Sequence, residues 1–227
     1  MHGTISTTSG LLLALLWSTA AAAASFPCEK AQTRIEKAIC ADAEVSQLDE
    51  YLGRYYSGAR TALRESASCL LADQKQWLSS VRNPCADAAC LKKVYLERLG
   101  ELHALQPGAS SLRNVALPAV PPLVWIIPPA GDNVAAPPQP NAKPLVARGH
   151  VINDLEKGDG FVLRTAEGAT HILLLTMFFD GASVDALNTL ARQPAATFLA
   201  RGHAATNPRG NVHYEPSRCV FLYRLTR

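Results

Sequence analysis

The residues best able to do chemistry are six cysteines, Cys28, Cys40, Cys69, Cys85, Cys90 and Cys219, and four histidines, His150, His171, His203 and His213. In a reducing compartment spaced thiols point to metal binding or catalysis; in an oxidising one they pair. Six is an even number, as a disulfide framework requires, but spacing alone leaves many pairings open. The histidines could supply two or three ligands to a metal. They show no HxH or HxxxH spacing, so scattered surface histidines are the leading reading. There is no GxSxG and no phosphate-binding glycine loop; Gly181-Ala182-Ser183 is read as merely preceding a helix. The sequence therefore points to no catalytic residue and no cofactor. An enzyme or metal-binding protein, with its site in the histidine-bearing part, is the alternative.

The compartment decides what the thiols do. Residues 11–24 read LLLALLWSTAAAAA, uncharged, ending in Ala22-Ala23-Ala24 before Ser25. Small residues at those places are what a signal peptidase inspects, so 1–24 is predicted to be a secretory signal peptide. The apolar run is shorter than the roughly 20 residues of a spanning helix. The leader MHGTISTTSG lacks Lys and Arg, which departs from the usual basic start. No cysteine follows the small-residue site, which argues against a lipid-modified N-terminus. The expectation is a periplasmic or secreted chain with no stable membrane anchor once the signal is cleaved. Its thiols should then pair.

Three zones follow, and they predict an α+β protein of two domains. Residues 25–105 are rich in Ala, Leu, Glu, Lys and Arg; 106–144 hold ten of the fifteen prolines; 145–227 bring Val, Ile, Phe, Thr and Gly. The first zone carries eleven basic and eleven acidic side chains, and the stretch from Lys143 ten and seven. That excess is too dispersed for nucleic acid, which wants a dense basic stripe.

The first zone reads as helices. Thr33-x-x-Glu36 is a capping-box pattern opening a short helix to Cys40. Asp42 can cap a second helix, with Val45, Leu48, Leu52, Tyr55 or Tyr56, Ala59 and Leu63 on one face. A third places Leu70, Gln74, Trp77, Leu78 and Val81 together and stops at Asn83-Pro84. Asp87 caps a fourth, with Leu91, Tyr95, Leu99, Leu102 and Leu105 inward. Whether Arg64 to Ser68 divides the second helix from the third is open, since no Gly or Pro lies there.

A bundle of about 80 residues has a core worth roughly 3–5 kcal/mol, so staples matter. One disulfide across a short loop adds roughly 2–4 kcal/mol. Cys28 and Cys40 can be joined if the chain folds back before Thr33; one continuous helix would hold them ~18 Å apart, against a Cα limit of about 7 Å. Cys85 and Cys90 flank a turn and can close it. Cys69 falls in line with Asp73, Gln76 and Ser80, on the polar side of its helix. A Cys69–Cys219 bridge across domains is the economical pairing; two free thiols or an intermolecular bond are the alternatives.

Together these residues resemble a known family. Cys28, Glu36-x-x-Ile39-Cys40, Leu48-Asp49-x-x-Leu52-x-x-x-Tyr56, Gln74-x-x-Trp77-Leu78 with Arg82 and Cys85, and Cys90-Leu91-x-x-x-Tyr95-x-x-Arg98 are similar to the LprI-type lysozyme inhibitor domain. This is an exported, four-cysteine helical domain. The resemblance covers 26–105; Cys69 and Cys219 fall outside its pattern. It implies a partner protein, lysozyme or another protein of the cell envelope, blocked or bound directly. Glu36, Asp49, Leu52, Tyr56, Gln74, Trp77, Arg82, Tyr95 and Arg98 carry the motif. Their types and inward spacing suit structural roles better than partner contact.

In the proline-rich linker, Leu123-Val124-Trp125-Ile126-Ile127 is strongly apolar. Packing within the molecule is favoured over docking a partner. Beyond it, strands are predicted at 145–152, 161–163, 171–175, 197–200 and 219–225. A helix is predicted at 183–192, and a short strand at 212–214 paired with the last. Three strands, a helix and two or three strands is the order of a small OB-like barrel.

Overall fold

The computed structural model describes residues 24–106, 115–129, 143–154, 160–174, 180–206 and 212–225. The predicted signal peptide lies outside them except for Ala24. The chain is mixed α+β: four helices precede a β-barrel into which a fifth helix is inserted.

The helices are α1 (Arg34–Ala41), α2 (Ala43–Leu63), α3 (Ala67–Trp77) and α4 (Ala88–Ala104). Side chains terminate three of them. Thr33 Oγ1 accepts from the Glu36 amide at 3.2 Å while Glu36 accepts from the Thr33 amide at 2.9 Å, closing a capping box. Asp42 accepts from the amides of Glu44 and Val45 at the start of α2, and Asp87 from Cys90 at the start of α4. Ile39, Val45, Leu48, Leu52, Ala59, Leu70, Leu91, Tyr95, Leu99 and Leu102 form the core. Tyr55 takes the inward position and Tyr56 is only partly buried.

Two irregularities shape the bundle. Arg64 ends α2 at φ 48°, a region few non-glycine residues enter, and a short 3₁₀ turn (Arg64–Ser66) leads into α3. After Trp77 the chain widens into a π turn (Leu78–Arg82), in which the Asn83 amide donates to Leu78 O at 3.0 Å. The third helix thus reaches its predicted end, but not with α geometry throughout.

The strands are β1 (Leu123–Ile127), β2 (Lys143–Asp154), β3 (Gly160–Arg164), β4 (Thr170–Leu174), β5 (Phe198–Thr206), β6 (Val212–Tyr214) and β7 (Val220–Arg224). Strand β2 pairs with β5 through residues 143–149 and with β3 through residues 150–154. β4 follows antiparallel to β3, β6 lies parallel to β4, and β6 returns to β5. These five strands close a barrel. β7 continues along the same edge of β5 and carries β1 outside it. The apolar linker segment is therefore a strand of the sheet, with Ile126 and Ile127 buried. The predicted pairing of 212–214 with the last strand is not observed. A bulge at residues 215–219 puts β6 and β7 end to end along β5 instead. Helix α5 (Gly181–Ala191) starts earlier than predicted and takes in Gly181-Ala182-Ser183, because Asp180 caps it through the Ser183 amide at 2.8 Å.

Closure needs a sharp turn in β2 where it changes partner, and Gly149 sits there. A Cβ on it would lie 2.1 Å from the Arg164 carbonyl oxygen. Gly149→Ala is expected to cost at least about 1–3 kcal/mol, as overpacking does, read as a lower denaturation midpoint.

Candidate functional site

The bundle and the barrel meet along α3 and α4. The join is built from one disulfide, one apolar cluster and one group of charges. Cys69 on α3 bonds to Cys219 in the bulge between β6 and β7, with 5.6 Å between their Cα atoms. The other two bonds, Cys28–Cys40 and Cys85–Cys90, lie within the helical part. Around the bridge, Cys69 packs with Ile126, Phe221 and Tyr223. The side of α3 read from sequence as polar is thus covered by the sheet at Cys69, which is buried, while Asp73 and Gln76 are half-buried and Ser80 stays exposed.

Beside the bridge four charges alternate in a ring. Arg98 Nη1 lies 2.7 Å from Asp73 and 2.8 Å from Glu101. Arg201, from β5, reaches the same two carboxylates at 3.3 and 2.6 Å. Arg98 is 1% exposed, and its Nε donates to Gln74 Oε1 at 2.9 Å. The Arg201 guanidinium sits 5.3 Å from the Phe221 ring centre and donates to the Tyr223 hydroxyl at 3.3 Å. Burial on its own raises the Asp73 carboxyl; Arg98 and Arg201 outweigh it and hold that group below its ordinary value. Burial likewise opposes the Arg201 charge, but Tyr223, Asp73 and Glu101 leave it raised. The Tyr223 hydroxyl is pushed up to about 12 by burial, with Arg201 acting against the shift.

Above this ring the two parts diverge into a cleft of about 590 Å³. Trp77, Ser80 and Val81 from α3 and its π turn form one wall. Pro144, Val146 and His203 from the barrel and Phe221 from β7 form the other, with Arg218 from the bulge. Val81 is 40% exposed and Val146 59%, two of the three large apolar side chains most open to solvent among the described residues. Three polar atoms of the lining are buried without a hydrogen-bond partner among the described residues: Arg98 Nη2, Arg201 Nε and His203 Nε2. Burial, then the nearby Arg218 charge, lowers the His203 imidazole, with Asp73 and Glu215 acting against the shift. Size and lining suit a ligand held by apolar contact with a few fixed donors.

The motif residues are spread through the helical part. Gln74, Trp77 and Arg98 lie at the join. Asp49 and Tyr95 meet inside the bundle, where the Tyr95 hydroxyl donates to Asp49 at 2.5 Å and its ring meets Trp77 edge-on at 5.6 Å. Leu52 is core, and Tyr56 lies at the core's margin with Arg60 over its ring. Glu36 serves the capping box, and its carboxyl is lowered by the Thr33 and Gln32 amides. Arg82 binds the Asn83 side chain. The histidines do not converge: among the described residues no three His, Cys, Asp or Glu side chains are placed to hold a metal. His150 lies against the Ala196 carbonyl at 2.9 Å instead. Sequence reasoning missed Asp73, Glu101 and Arg201 as a site. Their only local signal is the line Cys69, Asp73, Gln76 and Ser80 along one side of α3.

No family model, curated protein or solved structure matches this chain. Three disulfides point to an oxidising environment, and no helix among the described residues is long and apolar enough to cross a membrane.

The lowered Asp73 carboxyl implies a defined acid sensitivity. Its contribution to stability is complete above the unfolded value of about 4. It is lost as pH falls through the lower folded value. Thermal unfolding followed from pH 5 downward should show this loss in the wild type, and a flatter profile in Asp73→Asn.

Proposed function

We propose that the chain is an exported cell-envelope binding protein of two domains, an LprI-like helical domain and a small OB-like barrel, acting on lysozyme by direct protein contact. The observation that carries the binding reading is the cleft: two exposed apolar side chains, Val81 and Val146, line one concavity together with Trp77 and Phe221. Exposed apolar surface gathered in one concave place marks an interaction site. Export is supported by the leader at 1–24 and by the oxidising environment the disulfides require. The OB-like reading is supported by the order β2-β3-β4-α5-β5-β6, with β4 and β6 parallel. The lysozyme reading rests on the motif between Cys28 and Arg98.

The mode of binding follows from charge. Host lysozymes of the usual type are strongly basic, and an acidic inhibitor would be steered to them. The helical zone is neutral, and the ring at the base of the cleft pairs its own charges internally. Affinity must come from apolar insertion, so it should depend weakly on salt.

In a cell-wall turbidity assay, excess purified protein is expected to slow lysis by lysozyme. Val81→Asp and Val146→Asp should weaken that effect by about tenfold or more without lowering Tm, since both side chains are open to solvent. Unchanged lysis at large molar excess removes lysozyme as the partner. Full inhibition by both variants removes the cleft as the contact surface.

A further inference from the structure

The Asp49 carboxylate is 2% exposed. It accepts from the Tyr95 hydroxyl at 2.5 Å, the Ser25 hydroxyl at 2.5 Å and the Ser25 amide at 2.8 Å. Among the described residues no Lys, Arg or His forms an ion pair with it. From α4 the Tyr95 hydroxyl faces it, and Arg82, in the π turn after α3, acts on that hydroxyl. The groups hydrogen-bonded directly to the carboxylate are neutral, with the Arg82 charge one hydroxyl away, and a cation seated on the carboxylate itself would offset the cost of its burial. Burial, and then the Asp49 charge, raise the Tyr95 hydroxyl, which therefore stays a neutral donor to the carboxylate.

The position of Ser25 gives the missing charge a source. Residue 25 follows the small-residue site Ala22-Ala23-Ala24 directly. We propose that cleavage between Ala24 and Ser25 turns the Ser25 amide into an α-ammonium seated on Asp49, so that the processed chain, unlike its precursor, carries a neutralised buried carboxylate. The proposal rests on the export reading above. In the step, water adds across the Ala24–Ser25 peptide bond under an export peptidase. The carbonyl carbon leaves as the Ala24 carboxylate, and the Ser25 nitrogen takes up protons to become –NH₃⁺. One amide donor becomes three charged ones at the same place, 2.8 Å from Asp49 Oδ2. The seat is shaped for residue 25. Gly53 lies one turn beyond Asp49 on α2, and a Cβ there would come within 3.3 Å of the Ser25 Cβ. The buried methyl of Ala24 leaves with the leader.

The test uses the full mature chain beginning at Ser25 and the same chain with one glycine added ahead of Ser25, each with and without Asp49→Asn. The added residue is expected to lower Tm by about 4 °C or more when Asp49 is present, and by about 1 °C or less with Asp49→Asn. The α-amine should titrate more than about one unit above its usual value near 8. Because the folded value is raised, the stabilisation is complete below about pH 8 and fades as pH rises through the folded value. Equal loss in both backgrounds, or an ordinary amine titration, overturns the proposal. If Asp49→Asn does not fold, the amine titration in the unmutated chain decides by itself. N-terminal sequencing of the secreted protein separates the two readings: a secreted chain that starts elsewhere than Ser25 overturns the proposal, while a chain that keeps its leader and is not secreted sinks the export reading on which it rests.

Discussion

Arg98, Asp73, Arg201 and Glu101 form a closed ring of alternating charge between the helices and the barrel, and the arrangement of the two parts depends on it. Each member alone would be hard to place there. Arg98 is almost wholly buried, and a guanidinium in that position needs both carboxylates plus Gln74 to replace water. Three members come from α3 and α4; Arg201 comes from β5 and completes the ring. The barrel thus supplies the charge that two helical carboxylates would otherwise lack. Ionic groups of this kind add little net stability compared with apolar packing. What they supply is directionality, since a shifted or rotated barrel would leave charges unpaired.

The disulfide and the apolar cluster act on the same seam by different physics. Cys69–Cys219 links positions 150 residues apart, which limits how far the two parts can separate. Ile126, Phe221 and Tyr223 contribute non-directional burial around it. The ring sets orientation, the bridge limits separation, and the cleft above them inherits a fixed width. Its floor is polar and largely paired within itself, while Trp77, Val81, Val146 and Phe221 give its walls an apolar part. That contrast makes it a site for apolar contact beside a few polar groups. The π turn after Trp77 contributes by carrying Ser80 and Val81 into the wall, as such turns commonly do at binding sites.

Much of the fold was legible because it is encoded locally. The capping box at Thr33 and Glu36, the caps at Asp42 and Asp87, and the apolar spacing of α2 and α4 each involve residues a few positions apart. The strand and helix order of the barrel could be read from alternation and turn residues. The break at Arg64 had no Gly or Pro to mark it; an exposed, ordinary residue stands there at positive φ. The pairing of β6 was misjudged because residues 215–219 close on themselves, with the Arg218 amide donating to the Glu215 carbonyl and the Ser217 hydroxyl to its carboxylate, which leaves β6 and β7 in line along β5 instead of side by side. The candidate site was the least legible part. Asp73 and Arg201 are 128 residues apart, and no periodicity relates them. The polar side of α3 looks like a solvated face until the barrel covers it, so polarity at Cys69, Asp73 and Gln76 marked an interface.

The most direct test of this account is a double-mutant cycle on Asp73→Ala and Arg201→Ala in the oxidised protein, read by denaturant unfolding. If the ring joins the two parts, the pair should couple by about 1 kcal/mol or more, within the range seen for residues of one charged network. If the two losses add within about 0.3–0.5 kcal/mol, as for independent sites, Arg201 does not hold the barrel to the helices and the fixed geometry of the cleft must have another cause.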